Sequence, residues 1–132
     1  MAGLQVLEET FGSQGFHVLG FLENDFGAQG GTDGQVDMCT STYHVTFPQF
    51  DMNDVIGANA QPVWQWLLAQ PSMGPASGIA PTWNFNKYLI SRDGQLIAHW
   101  EAPVYPGDDP NNPNDSFDTS AIVVAIQGEL AK

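Results

Sequence analysis

The chain has 132 residues, enough for one core and few for two, so a single domain over residues 1–132 is expected. Its 42% hydrophobic content, with four Trp and eight Phe, argues for a packed globule rather than a disordered chain. Three Lys+Arg against fifteen Asp+Glu leave a formal net charge of −12, which repels nucleic-acid phosphates and anionic membrane surfaces and sets both aside as partners.

Residues 3–14 carry Leu4, Leu7 and Phe11 at helical spacing, with Gly12 and Gly15 closing the segment. The nearly continuous apolar run 16–22 has strand length and suits a parallel strand covered on both faces. A glycine-rich loop (Gly27, Gly30, Gly31, Gly34) then leads into a short helical stretch over 35–43. Residues 59–70 read as a helix, with Asn59 as N-cap, Pro62 in the first turn, and Val63, Trp64, Leu67 and Leu68 on the apolar side. Residues 72–80 form a Pro/Gly/Ser loop. Strands over 85–91 and 95–101 flank Asp93-Gly94, a two-residue hairpin signal. The last helix starts near Asp118 or Thr119 and aligns Ile122, Val123, Ile126 and Leu130. This α/β order is that of the latter part of a thioredoxin-like fold.

No apolar run approaches the roughly 20 residues of a membrane span. Residues 3–9 lack the basic start of a signal peptide, which favours the cytoplasm. A lone Cys39 excludes an internal disulfide and a Cys-rich zinc site. His17, His44 and His99 show no helical pairing and read as ordinary strand or loop residues, so neither metal nor other cofactor is expected. The loop 107–115 offers oxygen ligands but lacks the spacing of an EF-hand, and reads as solvated. Asn114-Asp115-Ser116 fits the glycosylation sequon, a short and unspecific match.

Several strings carry more information together than singly. Gly3-Leu4 with Leu7, Gly15-Phe16-x-Val18-Leu19-Gly20-Phe21, Glu23-Asn24-Asp25-Phe26-Gly27-Ala28-Gln29, Val45-Thr46-Phe47-Pro48, Val55-Ile56-Gly57-x-Asn59-Ala60 and Trp83-Asn84-Phe85-Asn86-Lys87-Tyr88-Leu89-Ile90 occur in one order between residues 3 and 90, within a match that covers roughly residues 3 to 131. In that order and spacing the chain resembles the glutathione peroxidase family. The resemblance implies a thioredoxin-like fold and an oxidoreductase acting on hydrogen peroxide or organic hydroperoxides, in defence against oxidative stress.

The family chemistry is nucleophilic displacement on peroxide oxygen: a thiolate or selenolate attacks the O–O bond, becomes a sulfenic or selenenic acid, and is reduced by thiols. By resemblance, Trp83 would donate through its indole N–H and Asn84 through its amide or backbone, stabilising the anionic nucleophile. Read without the family, Trp83 is a core aromatic opening a strand and Asn84 a turn residue. Asp25 stands where the family has Gln. A carboxylate only accepts hydrogen bonds, so Asp25 is protonated, points away, or weakens the site. Cys39 falls where thioredoxin-dependent members carry a resolving Cys, which attacks the oxidised nucleophile to form a disulfide reduced by thioredoxin. The scarcity of Lys and Arg suits thioredoxin better than anionic glutathione as reductant.

The family nucleophile would fall roughly six residues ahead of Met1, as either a Cys or a selenocysteine read as a stop codon. The first central strand and the reactive turn are accordingly expected to lie outside this chain. Their loss leaves unpaired sheet edges, so the isolated 132 residues are expected to be marginally stable or to aggregate. A monomer or small homo-oligomer is expected. The alternative is a non-catalytic thioredoxin-fold relative, or a redox sensor acting through Cys39.

Overall fold

The computed structural model describes residues 1–27, 40–70 and 80–132. They form two compact units: residues 1–21, 40–50 and 105–132 in the first, residues 22–27, 51–70 and 80–104 in the second.

In the first unit, α1 (Ala2–Phe11) buries Leu7 and Phe11, as their spacing predicts, and also Gln5. That buried amide is fully used: Nε2 donates to Glu9 Oε1 (2.9 Å) and Thr46 Oγ1 (2.9 Å), while Oε1 accepts from Thr46 N (2.8 Å). The helix tightens to a 3₁₀ turn over Gly12–Gln14, and Gly15 closes it at φ 89°, a left-handed value that glycine adopts without a Cβ penalty. Phe11 stacks on Phe117 with ring centroids 6.1 Å apart, and Phe16 meets it edge-on at 6.2 Å.

The run 16–22 contributes a shorter strand than expected. Only β1 (Gly20–Phe21) pairs, in parallel with β2 (Gln49–Phe50), in the register Gly20↔Gln49 and Phe21↔Phe50. Two competing groups explain the difference. Val18 N–H is taken by Glu8 Oε2 at 2.7 Å, and Pro48, just before β2, has no N–H to offer. Leu19 is therefore exposed instead of covered. Of the helical stretch expected over 35–43, residues 40–43 are helical and 35–39 lie outside the described residues. Val45 and Phe47 are buried, with Met1, Leu4 and Val18 packed on them. The last helix, α3 (Ala121–Leu130), starts after a 3₁₀ turn (Phe117–Thr119) closed by a Ser116/Thr119 capping box. It buries Ile122, Val123 and Ile126.

In the second unit, α2 (Pro62–Leu68) is shorter than the expected 59–70. Gly57 at φ 77° turns the chain, Ala60 N–H bonds to Gly57 O (3.2 Å) and Gln61 N–H to Asp54 O (3.0 Å). The helix therefore opens on Gln61 with Pro62 following, and Asn59 is a turn residue rather than the cap. Trp64 and Leu67 face inward, but Val63 is exposed.

The hairpin consists of β3 (Lys87–Ile90) and β4 (Leu96–Trp100), antiparallel with Tyr88 opposite His99 and Leu89 opposite Ala98. Its connection is longer than the expected two residues. Ser91 N–H bonds to Gln95 O (2.8 Å), Gly94 N–H bonds to Ser91 O (3.0 Å), and Gly94 sits at φ 80°, giving a three-residue loop over 92–94. Leu89 and Leu96 are buried, and Trp64 meets Tyr88 edge-on at 5.4 Å.

Candidate functional site

Residues 23–26 form a turn organised by one carboxylate. Glu23 Oε2 accepts from Asp25 N (2.6 Å) and Phe26 N (3.3 Å). Asp25 is itself an acceptor: its Oδ2 takes hydrogen bonds from Val55 N at 2.7 Å and Ile56 N at 3.3 Å. Among the alternatives for Asp25, this geometry is that of a carboxylate turned to main-chain donors. It latches the 23–26 turn onto residues 55–56.

The second part of the site is the turn that leads into β3. Phe85 lies at φ 59°, a left-handed conformation that costs a non-glycine residue free energy and persists only when its surroundings impose it. Asn86 Nδ2 donates to Trp83 O at 2.6 Å and closes the turn. Trp83 is 53% exposed, so it is a surface indole in a turn and not the core aromatic of the family-free reading. Asn84 is half-buried. Its Nδ2 is shielded from solvent and has no hydrogen-bond partner among the described residues, leaving one buried donor unused in this turn.

The two turns come together through aromatic rings, with the centroids of Phe26 and Trp83 6.4 Å apart and the planes inclined at 42°. That ring contact joins the turn that carries Asp25 to the turn that carries Trp83 and Asn84. Cys39 lies outside the described residues.

Sequence reading passed over the residues that hold this neighbourhood. Lys87 Nζ donates to the carbonyls of Val104 (2.7 Å), Ala102 (3.1 Å) and Glu101 (3.4 Å), tying the start of β3 to the chain leaving β4. Burial lowers its pKa from 10.5 to about 8. His99 donates through Nε2 to Asn86 Oδ1 at 2.7 Å and stacks on Tyr88 with centroids 4.5 Å apart. Burial lowers the His99 pKa, Glu101 opposes that shift and Lys87 adds to it. Burial also raises the Tyr88 pKa, since a phenolate would be poorly solvated there. The signal that could have found this pair is the hairpin register, which sets Tyr88 opposite His99 and brings Asn86 just beyond.

Among the described residues, no group of three or more His, Cys, Asp or Glu side chains is placed to hold a metal ion, and no helix is long and apolar enough to cross a membrane. In the loop 107–115, Asp109 and Asn112 side chains accept main-chain N–H bonds at 2.9 Å and 3.1 Å. These local turns use side-chain oxygens that a cation would need.

The family model described as glutathione peroxidase matches residues 1–68. A hydroperoxy fatty acid reductase of Synechocystis sp. is 39% identical over 114 residues, covering 80% of this chain and 66% of the relative. A glutathione peroxidase of Lactococcus lactis is 39% identical over 106 residues, covering 79% of this chain and 66% of the relative. The crystal structure of Trgpx in apo form superposes with a TM-score of 0.57 at 27% identity, over 95% of this chain and 69% of that one. The chain spans 66% of the length of these two relatives. It belongs to the glutathione peroxidase family and has that family's α/β, thioredoxin-like fold.

Proposed function

We propose that this member of the glutathione peroxidase family serves a thiol- or selenol-dependent peroxidase that reduces hydrogen peroxide or organic hydroperoxides, with thioredoxin or glutathione as reductant. The observation that carries the reading is the Phe26–Trp83 contact, which links the 23–26 turn to the turn bearing an exposed indole and an Asn84 Nδ2 that has no partner among the described residues.

In this reading the reacting atom is a thiolate sulfur or a selenolate selenium. As an anion it attacks one peroxide oxygen, the O–O bond breaks, and the leaving hydroxide or alkoxide takes a proton. Trp83 Nε1–H and Asn84 Nδ2–H supply donors to the anion, lowering the pKa of its conjugate acid and fixing its approach. The oxidised atom is then attacked by a thiol, releasing water and forming a disulfide or selenenyl sulfide. Cys39 is the internal candidate for that thiol, with thioredoxin reducing the product. The hydroperoxy fatty acid reductase among the relatives supports organic hydroperoxides as substrates, and the low Lys and Arg content supports thioredoxin.

A second reading, a non-catalytic relative or a redox sensor acting through Cys39, draws on Asp25. At the position of the family Gln, this chain presents an acceptor already committed to two backbone amides. Peroxide-dependent oxidation of thioredoxin and of glutathione, measured on the 132 residues and on a form extended upstream, separates the readings. Turnover in the extended form that falls with Trp83→Phe supports the peroxidase. Absence of turnover in both forms supports the second reading.

A further inference from the structure

The Trp83–Asn84 turn has no regular secondary structure of its own, contains a strained residue, and leaves its indole on the surface. Something must hold it, because a left-handed Phe relaxes unless its neighbours prevent it. The geometry points to Asn86 and His99 as a positioning pair that sets the orientation of the Trp83 indole and the Asn84 amide. This inference rests on the functional reading above for its catalytic meaning, and on the hydrogen-bond geometry for the pairing.

The pairing runs through one side-chain amide with both ends occupied. Asn86 Nδ2 donates to Trp83 O at 2.6 Å, and Asn86 Oδ1 accepts from His99 Nε2 at 2.7 Å. An amide bonded at one end can swing about its last torsion, whereas one held at both ends is fixed in direction. His99 is fixed in turn, with its ring stacked on Tyr88 at 4.5 Å and 28°, and Tyr88 buttressed edge-on by Trp64 of α2 at 5.4 Å and 87°. Trp64 is buried, so the chain of contacts from Trp64 through Tyr88, His99 and Asn86 to Trp83 O begins in packed structure and ends at the turn. Lys87, the next residue, is anchored separately on three carbonyls, so movement of the turn must be taken up at residues 83–86. His99 and Asn86 touch no reacting atom here and are positioning residues.

The test uses the ¹⁵N-labelled full-length protein, with the Trp83 indole N–H resonance assigned through Trp83→Phe and that of Trp64 as the control for folding. Asn86→Ala and His99→Phe should each shift and broaden the Trp83 resonance while leaving Trp64 in place. His99→Gln, which keeps an N–H donor within reach of Asn86, should return it toward the native position. An unmoved Trp83 resonance in both disrupting variants would overturn the pairing. In the unmodified protein, the His99 imidazole should carry its proton on Nε2; a proton on Nδ1 alone at neutral pH would also overturn it, without requiring any variant to fold. Peroxide turnover tests the other half. Asn86→Ala should lower kcat by roughly tenfold or more, as expected when a donor is displaced by a fraction of an ångström to an ångström, and His99→Gln should recover part of that loss. If the resonances behave as expected and the unmodified protein shows no turnover, the functional reading fails and the pairing stands.

Discussion

Removing the Asp25 carboxylate tests whether it latches the 23–26 turn, and its effect can be sized from two distances. Oδ2 accepts from Val55 N at 2.7 Å and from Ile56 N at 3.3 Å, so one bond is short and one is near the limit. Val55 is 2% exposed, and its N–H has little access to water if the acceptor is deleted. Hydrogen bonds to a charged group contribute about 1.5–3 kcal/mol, and an unsatisfied buried donor costs about 1–3 kcal/mol. Asp25→Ala should therefore destabilise the second unit by about 2–4 kcal/mol. Asp25→Asn keeps a carbonyl oxygen for the shorter bond and should cost about half as much. Amide hydrogen exchange of Val55 in the full-length protein reads this locally. With about tenfold per 1.4 kcal/mol, its protection should fall by about 30- to 700-fold in Asp25→Ala and by a smaller factor in Asp25→Asn. Equal protection in all three proteins would show that the carboxylate carries no load and that the contact is incidental.

The His99 environment makes a pH prediction of definite sign. Its folded pKa is lowered, chiefly by burial, so below pH 6.5 the unfolded chain binds more protons than the folded one. The associated stability is present above pH 6.5 and is lost as pH falls toward the folded value; denaturation midpoints from pH 7.5 to 5 should decline more steeply in the native protein than in His99→Gln. Raising the pH does the opposite at Tyr88, whose pKa burial raises, so stability should decline above pH 10 and decline less in Tyr88→Phe. Gly3→Ala sets helix propensity against sterics. The alanine gains about 1 kcal/mol of helical preference, but its Cβ would lie 2.5 Å from Pro106 O, a backbone atom, and overpacking of that kind costs about 1–3 kcal/mol. A lower melting temperature is expected, and an unchanged or higher one would contradict the close approach.

The parts of the fold legible in the sequence are those where local pattern and packing agree. Leu7 and Phe11, then Ile122, Val123 and Ile126, mark inward faces by spacing alone, and Asp93-Gly94 marks the hairpin. The misreadings share a physical cause, since each depends on a group distant in sequence or on a torsion that composition does not fix. Glu8 takes the Val18 N–H and shortens β1, Gly57 turns the chain before α2 can begin, and Gly94 adds a residue to the hairpin loop. For the candidate site, Trp83 and Asn84 are nominated by the family resemblance and not by periodicity. Asn86 and His99 were not legible, because their contact exists only once the register of β3 and β4 is set.

Asp25 also tests how the chemistry and the fold divide this position between them. Where the family carries a Gln that can donate, this chain carries an acceptor, and under the proposed peroxidase reading the Trp83 indole and the Asn84 amide would be the donors for an anionic nucleophile. A negative charge near a thiolate or selenolate disfavours ionisation, and the loss of a donor acts in the same direction. Asp25→Gln should therefore lower the nucleophile's pKa by about one unit, the low end of the shift a neighbouring charge produces. The acid limb of kcat/KM for peroxide should move to lower pH by the same amount. The same substitution weakens the latch on residues 55–56, so the variant should be faster near neutral pH and easier to unfold. A variant that loses stability with an unmoved acid limb would mean that the Asp25 charge does not reach the nucleophile, and that the residue serves the fold alone.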